Sequence, residues 1–288
     1  MFDEPAPTAD QRIVFVDVDG TLTDHIDGVP DSAIAAIRTA RERGHLVLLC
    51  TGRAYGDVPE DVLAIGFDGA VTNGGGTVMF EDEVLLDQTF TVDDAKRMLE
   101  YLDDNDLEYI AQTTGLTHRS RNYVAVLEAY SAVLAEKGNP FDFAEIIDWL
   151  ATMPLIDDAP TETITKTAFV GLDPNTVTKA RSELGDSYYV VNASIPTPVG
   201  ISGEIAPGGV SKGAGIRLLL DHLDLNADQA IGIGDSYNDV EMFEVCGTSV
   251  AMGNAEPEVR QLADRVTTTV GEDGVALALQ SLGLVDSI

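Results

Sequence analysis

Cysteine is nearly absent from this 288-residue chain, where Cys50 and Cys246 are the only two. Two thiols cannot staple a disulfide scaffold, and their spacing fits no metal-ligand pattern. Both are therefore expected to be small buried apolar residues of a protein kept in a reducing cytoplasm. Long apolar runs are also lacking. None approaches the roughly 18 uninterrupted residues of a membrane helix, so no membrane partner is expected. The stretch Met1 to Gln11 is acidic and contains proline, without the positive start and apolar run of a secretory signal, which argues against export. Positive charge is the scarcest commodity: 17 basic residues face 49 acidic ones, for a formal charge of -32. Lysine occurs only at positions 96, 137, 166, 179 and 212. A chain this anionic is not expected to bind nucleic acid.

What the chain has in quantity is acid, spread along its length without a terminal acidic tail. It coexists with 44% hydrophobic residues and a mean hydropathy of +0.05, enough apolar material for a packed core, which argues against disorder. Such a surface repels itself in dilute buffer and tolerates molar salt, where the screening length falls to about 3 Å. The composition is that expected of a cytosolic enzyme from a halophile; an ordinary acidic protein is the plainer alternative.

Along residues 1–86 short apolar runs alternate with amphipathic stretches, the signature of βαβ units on a parallel sheet. Strands are expected at Arg12 to Val18, His45 to Leu49 and Gly69 to Thr72, with a helix capped by Asp31 and stopped by Gly44, and a small hairpin at Val78 to Leu86. The middle of the chain reads as an α+β insert: a helix begun by Thr91, a strand at Glu108 to Gln112, a helix from Tyr123 ended by Gly138, a strand at Ile164 to Gly171, a helix capped by Asp173-Pro174 and a strand at Tyr188 to Asn192. From Gly203 the βα alternation returns: a strand at Gly203 to Ile205, a helix at Lys212 to His222, a strand at Ala230 to Gly234, a helix from Asn238, a strand at Thr248 to Ala251 and a helix at Pro257 to Ala263. The expected fold is thus an α/β, Rossmann-like parallel-sheet core built from residues 1–86 and 195–288, with an inserted domain over 87–194. Phe141 to Phe143 and Trp149 are expected in that insert's core.

Open parallel sheets bind ligands beyond the carboxyl ends of their strands. The residues just past the apolar runs are Asp17 and Asp19, Thr51 to Arg53, and Asp235 to Asp239. Several acids meeting in one crevice cannot all ionise without a cation, and an all-oxygen donor set selects a hard ion, Mg²⁺ before Ca²⁺. Asp17-Val18-Asp19 sets two carboxylates two residues apart, which in a regular strand face one side. One could serve as nucleophile and the other as acid or base; a turn or helix cap explains the same spacing. Thr51 and the Gly52 N–H can meet phosphate oxygens. Lys212 opens a helix after Gly208-Gly209, where the dipole already favours anions, although a solvated surface lysine fits that feature alone. Arg53 could touch phosphate or only cap its loop. The basic cluster His118-Arg119-Ser120-Arg121 could meet a second anionic group or form a solvated loop, and the four histidines are too scattered to suggest a catalytic base.

Phe15-Val16-Asp17-Val18-Asp19-Gly20-Thr21-Leu22, Cys50-Thr51-Gly52-Arg53, Lys212 and Gly234-Asp235-Ser236-Tyr237-Asn238-Asp239 resemble, in order, the four motifs of the haloacid dehalogenase-like phosphatases. Ile205 to Gly213, Asp239 to Met242, Ala251 to Ala255 and Asn73-Gly74-Gly75 resemble the Cof-type branch, whose large α/β cap of the C2B type is inserted between the second and third motifs. The resemblance implies a nucleophile at Asp17, a general acid/base at Asp19 and phosphate binding by Thr51, Gly52, Lys212 and Asn238. It further implies Mg²⁺ held by Asp17, the Asp19 backbone carbonyl and Asp235, with Asp239 a ligand through water or a holder of the other groups. The implied activity is hydrolysis of small phosphorylated metabolites, sugar phosphates first, through an aspartyl-phosphate. A sugar phosphomutase shares the first motif, and a non-catalytic sensor of phosphorylated ligands could share the fold. The oligomeric state is not legible. If the acidic surface is an adaptation to salt, the melting temperature followed by circular dichroism rises steadily between about 0.2 M and 3 M KCl; an unchanged melting temperature across that series contradicts it.

Overall fold

The computed structural model describes residues 11–24, 28–113, 116–136, 143–193 and 200–286. His25, Gly138, Phe141 and nearly all of the stretch Met1 to Gln11 lie outside the described residues. Among the described residues no helix is long and apolar enough to cross a membrane.

In chain order the elements begin with β1 (Ile13–Val16), α1 (Asp31–Glu42), β2 (Leu46–Cys50), α2 (Glu60–Leu63), β3 (Gly69–Thr72), β4 (Thr77–Phe80) and β5 (Glu83–Asp87). They continue with α3 (Val92–Asp104), β6 (Glu108–Thr113), β7 (Thr117–Arg119), α4 (Tyr123–Glu136), α5 (Ala144–Thr152), β8 (Ile164–Gly171), α6 (Thr176–Leu184), β9 (Tyr188–Asn192) and β10 (Ile201–Pro207). The last run is α7 (Lys212–His222), β11 (Ala230–Gly234), α8 (Val240–Val245), β12 (Thr248–Ala251), α9 (Pro257–Leu262), β13 (Arg265–Val266) and α10 (Gly274–Ser281). The chain divides into two compact units, residues 1–87 with 210–288, and residues 88–209.

The first unit is a Rossmann-like α/β core on one sheet of order β13-β12-β11-β1-β2-β3-β4-β5. The strands from β13 through β3 are parallel, and β4 and β5 complete the edge as an antiparallel hairpin. The run Ile-Val-Phe-Val of β1 is apolar throughout because both its faces are buried, as parallel sheets require. Val14 and Val16 pack with Ile37 of α1, Val62 of α2 and Leu279 of α10, whereas Ile13 and Phe15 pack with Ile216 of α7, Met242 of α8 and Val259 of α9. Because the strands from β13 through β3 run parallel, the loops at their carboxyl ends lie along one edge of the sheet.

The inserted unit is α+β, an antiparallel sheet of order β7-β6-β8-β10-β9. Tyr109, Phe169, Val190 and Ile205 form a core with Met98 and Leu102 of α3 and Ala180 and Leu184 of α6. Thr91 caps α3, accepting from the Asp94 N–H at 3.1 Å.

Several expectations need correction. The strand around Gly203 to Ile205 does not reopen the core: as β10 it pairs antiparallel with β8 and β9, with Gly203 opposite Phe169 and Asn192. The inserted unit therefore runs to Gly209, beyond residue 194. A short apolar run says that a strand exists but not which sheet it joins. Asp31 does not cap α1; it is the first helical residue, after Pro30, and its side chain makes no capping bond. Asn175, not Asp173, holds the cap position of α6, and the Asp173 carboxylate instead accepts the Asn175 N–H at 2.8 Å. Trp149 is not core, being 54% exposed, whereas Phe143 is fully buried. The elements α5, β7, β13 and α10 had no sequence expectation.

Candidate active site

β1 ends at Val16, so Asp17-Val18-Asp19 lies in a turn rather than a regular strand. The Asp17 N–H donates to the Ile233 carbonyl at 3.0 Å, extending the β1–β11 ladder by one rung. The N–H groups of Leu22 and Thr23 both donate to the Val18 carbonyl at 2.9 Å, closing the turn. Gly20 sits at φ +82°, and a Cβ there would lie 2.2 Å from an Asp235 carboxylate oxygen. Only glycine allows this turn to lie against Asp235. Thr21 adds a hydrogen bond from Oγ1 to Asp235 Oδ1 at 3.1 Å. The two carboxylates expected to face one side consequently part: Asp17 is 3% exposed, and Asp19 turns to Arg53.

Lys212 is the first residue of α7, whose cap Ser211 accepts the Ala214 N–H at 3.2 Å. Its ammonium is 1% exposed and donates to Asp17 Oδ1 at 2.8 Å and to Asp239 Oδ1 at 2.6 Å. Asn238 Oδ1 lies 3.3 Å from the same nitrogen. The other oxygen of Asp239 accepts the backbone N–H groups of Asp235 and Ser236, each at 3.0 Å. Asp239 is fully buried, and both its oxygens are engaged. It therefore holds the loop after β11 and the lysine in place.

Burial pushes the Asp17 carboxyl well above the usual carboxylate range; Lys212 opposes this, and the charges of Asp239 and Asp235 reinforce it. Asp235 is pushed up to about 7 by burial and Asp239, against the pull of Lys212 and the Thr21 hydroxyl. Lys212 is held well above its ordinary value although burial acts the other way, because Asp17 and Asp239 flank it. One ammonium does not balance three carboxylates. Asp17, Asp235 and Asp239 each offer an oxygen within 4.8 Å of the others, and a cation there would relieve what raises them. An all-oxygen donor set fits a hard divalent ion. The Asp19 carboxylate stands outside that group.

Thr51 follows β2, is fully buried, and accepts the Arg53 N–H on Oγ1 at 3.1 Å. Sequence reasoning passed over how this loop is held. Gly74 N–H donates to the Thr51 carbonyl at 3.0 Å and Asn73 N–H to the Arg53 carbonyl at 2.7 Å. A Cβ at Gly75 would lie 1.9 Å from the Ser211 carbonyl. The Asn73-Gly74-Gly75 turn thus ties the Thr51 loop to the turn before Lys212. Arg53, expected to touch phosphate or only to cap its loop, instead grips both oxygens of Asp19 with its guanidinium. The basic cluster is likewise absorbed by structure. Arg119 donates to the carbonyls of Leu150, Ser120 and Arg121, Arg121 pairs with Asp157 at 2.8 Å, and His118 lies buried on β7. His45 accepts the Arg12 N–H at 3.2 Å. Both cysteines are buried and free.

The model of the haloacid dehalogenase-like hydrolases matches residues 14–279, and the chain belongs to that family. Within it the chain is a phosphatase. It is 27% identical to the protein YkrA of Bacillus subtilis over 279 residues, covering 96% of this chain and 99% of that one. It is 26% identical to the phosphoglycolate phosphatase of Methanothermobacter thermautotrophicus over 270 residues, 93% of this chain and 97% of that one. Its fold matches that of the subclass IIB sugar phosphatase BT4131 with a TM-score of 0.78 at 20% identity, covering 96% of this chain and all of the other.

The raised carboxyl of Asp235 makes a linkage prediction. Without a cation the native state holds a proton that the unfolded state releases near 3.8, so this contribution to stability falls as pH rises from about 4 through about 7. Melting temperatures in chelator are expected to drop across that window, and added Mg²⁺ or the substitution Asp235→Asn to flatten the drop. An equal slope in all three samples contradicts the raised carboxyl.

Proposed function

We propose that this phosphatase hydrolyses small phosphate monoesters, sugar phosphates foremost, in two displacements with Asp17 as the nucleophile and Mg²⁺ as cofactor. The reading rests on the Lys212 ammonium lying between Asp17 and Asp239, at 2.8 and 2.6 Å, with Asp235 beside them. A carboxylate kept buried beside a fixed cation and a metal-binding partner suits a nucleophile that must meet a phosphate dianion.

In the first step an Asp17 oxygen attacks phosphorus, the bond to the leaving oxygen breaks, and Asp19 gives that oxygen its proton. In the second, Asp19 takes a proton from water, which attacks the aspartyl-phosphate and returns Asp17 and inorganic phosphate. The Thr51 hydroxyl, the Gly52 N–H, Lys212 and Asn238 would hold the phosphoryl oxygens. Asp17, the Asp19 backbone carbonyl and Asp235 would hold the ion, and Asp239 would act through the groups that it fixes. Bound Mg²⁺ supplies charge neutralisation for the phosphoryl group. Because one relative is named for phosphoglycolate and a protein of like fold for sugars, the substrate is proposed as a class. Two reduced, buried thiols suit a cytoplasmic enzyme.

Asp17→Asn keeps the shape of the side chain and removes the nucleophile. It is expected to lower phosphate release from hexose phosphates by more than about 10⁴-fold, the scale on which catalytic nucleophiles act, while the melting temperature holds or rises. Retained turnover would falsify the mechanism.

A further inference from the structure

Lys212 touches Asp17 and Asp239 but not Asp19. Instead Arg53 donates from Nε to Asp19 Oδ2 at 2.7 Å and from Nη2 to Asp19 Oδ1 at 2.6 Å. This is a two-pronged guanidinium–carboxylate pair, which fixes direction as well as distance. The guanidinium is itself held, since Nη1 donates to the Asp57 carbonyl at 3.0 Å and the Arg53 N–H donates to Thr51 Oγ1 at 3.1 Å. The Arg53 carbonyl in turn accepts the Asn73 N–H at 2.7 Å. The pair is partly sheltered, with side-chain exposures of 30% for Arg53 and 17% for Asp19.

That arrangement answers a problem posed by the chain itself. Asp19 is attached, through Val18, to a cluster of three carboxylates, of which Asp17 and Asp239 are buried, able to take a cation. A free carboxylate on this turn could swing into the cluster as a fourth acidic ligand. It would then be lost to proton transfer, and the crowding of oxygens would favour a larger ion, since Ca²⁺ takes 6–8 oxygens and Mg²⁺ six at strict octahedral geometry. With both oxygens clamped by Arg53, the Asp19 side chain stays out of the group formed by Asp17, Asp235 and Asp239.

We infer that Arg53 is a positioning residue for Asp19: its anchored guanidinium holds that carboxylate out of the acidic cluster and in the place from which it serves the leaving oxygen. The inference rests on the assignment of Asp19 as acid and base made above. Arg53 acts through Asp19 and need not touch the phosphoryl group.

The test compares two leaving groups. An alkoxide must be protonated as it departs, whereas p-nitrophenolate leaves without a proton, so in the first step, followed as release of the leaving group in a single turnover, a fault in proton donation shows only with the alkoxide; the second step is common to both substrates. Arg53→Ala, and Arg53→Lys as the conservative variant unable to make a two-pronged pair, are assayed on glucose 6-phosphate and on p-nitrophenyl phosphate, alone and combined with Asp19→Asn. General acid catalysis is worth about 10²- to 10⁴-fold. Arg53→Ala is therefore expected to lower the single-turnover rate of leaving-group release from the sugar phosphate by about 100-fold and from the aryl phosphate far less, with Arg53→Lys between. In the Asp19→Asn background it should add almost nothing, as for two groups acting as one unit. Calorimetric titration with the metals alone should show Arg53→Ala gaining affinity for Ca²⁺ over Mg²⁺, and Asp19→Asn cancelling the gain. Equal losses on both substrates, or losses that multiply in the double variant, overturn the inference and make Arg53 a phosphate ligand or a loop brace. If Asp19→Asn itself shows no contrast between leaving groups, the assignment of Asp19 fails and the inference with it.

Discussion

The site depends on one buried ammonium. Lys212 lies in the interior with Asp17 and Asp239 within hydrogen-bonding distance, and without it three carboxylates would be sealed together with nothing to offset them. Isolated charges are costly to bury, and a pair survives only when geometry and further hydrogen bonds satisfy both members. Here the further bonds are the backbone N–H groups of Asp235 and Ser236 on Asp239. The remaining deficit of positive charge is what a bound cation would offset. Placing a lysine among acids also takes one of only five in the chain.

The rest of the core can be understood as what holds that lysine still. Its backbone is fixed by the start of α7, by the Ser211 cap and by the close passage of Gly75 against the Ser211 carbonyl. The partner acids stand at the ends of β1 and β11, adjacent parallel strands in register from Ile13 opposite Ala230 to Val16 opposite Ile233. Their apolar packing on both sheet faces keeps the two strand ends from shifting. Residues nearly 200 apart in sequence, Asp17 and Lys212, therefore meet with hydrogen-bond accuracy. A 122-residue insertion, from Gln88 to Gly209, separates them in the chain without entering their sheet.

Much of this was legible beforehand because parallel sheets announce themselves. Apolar runs such as Ala230 to Gly234 and Thr248 to Ala251 match their strands residue for residue, since a strand buried on both faces has no polar position to blur its limits. Site residues were readable for the same reason: they follow such runs at the strand ends. The failures have physical causes too. β10 was assigned to the wrong sheet because partner choice resides in long-range pairing, which local pattern does not carry. Trp149 was expected inside because bulk and apolarity were weighed without knowing that α5 turns it outward. Asp17 and Asp19 were expected to point together because the strand was taken two residues too far; once β1 ends at Val16, the turn sends one to Lys212 and the other to Arg53. Arg53 itself could not be assigned, because its partner is 34 residues away.

The central claim is that phosphorus becomes bonded to Asp17 during turnover. It is tested most directly by mixing enzyme with excess sugar phosphate and Mg²⁺, quenching in acid within milliseconds, and weighing the tryptic peptide spanning residues 13–38. The account predicts one added phosphoryl group, localised to Asp17, present during turnover and gone when substrate is exhausted. Release of phosphate at the full rate with that peptide unmodified at every time point, or a phosphoryl group found on another residue, would contradict it.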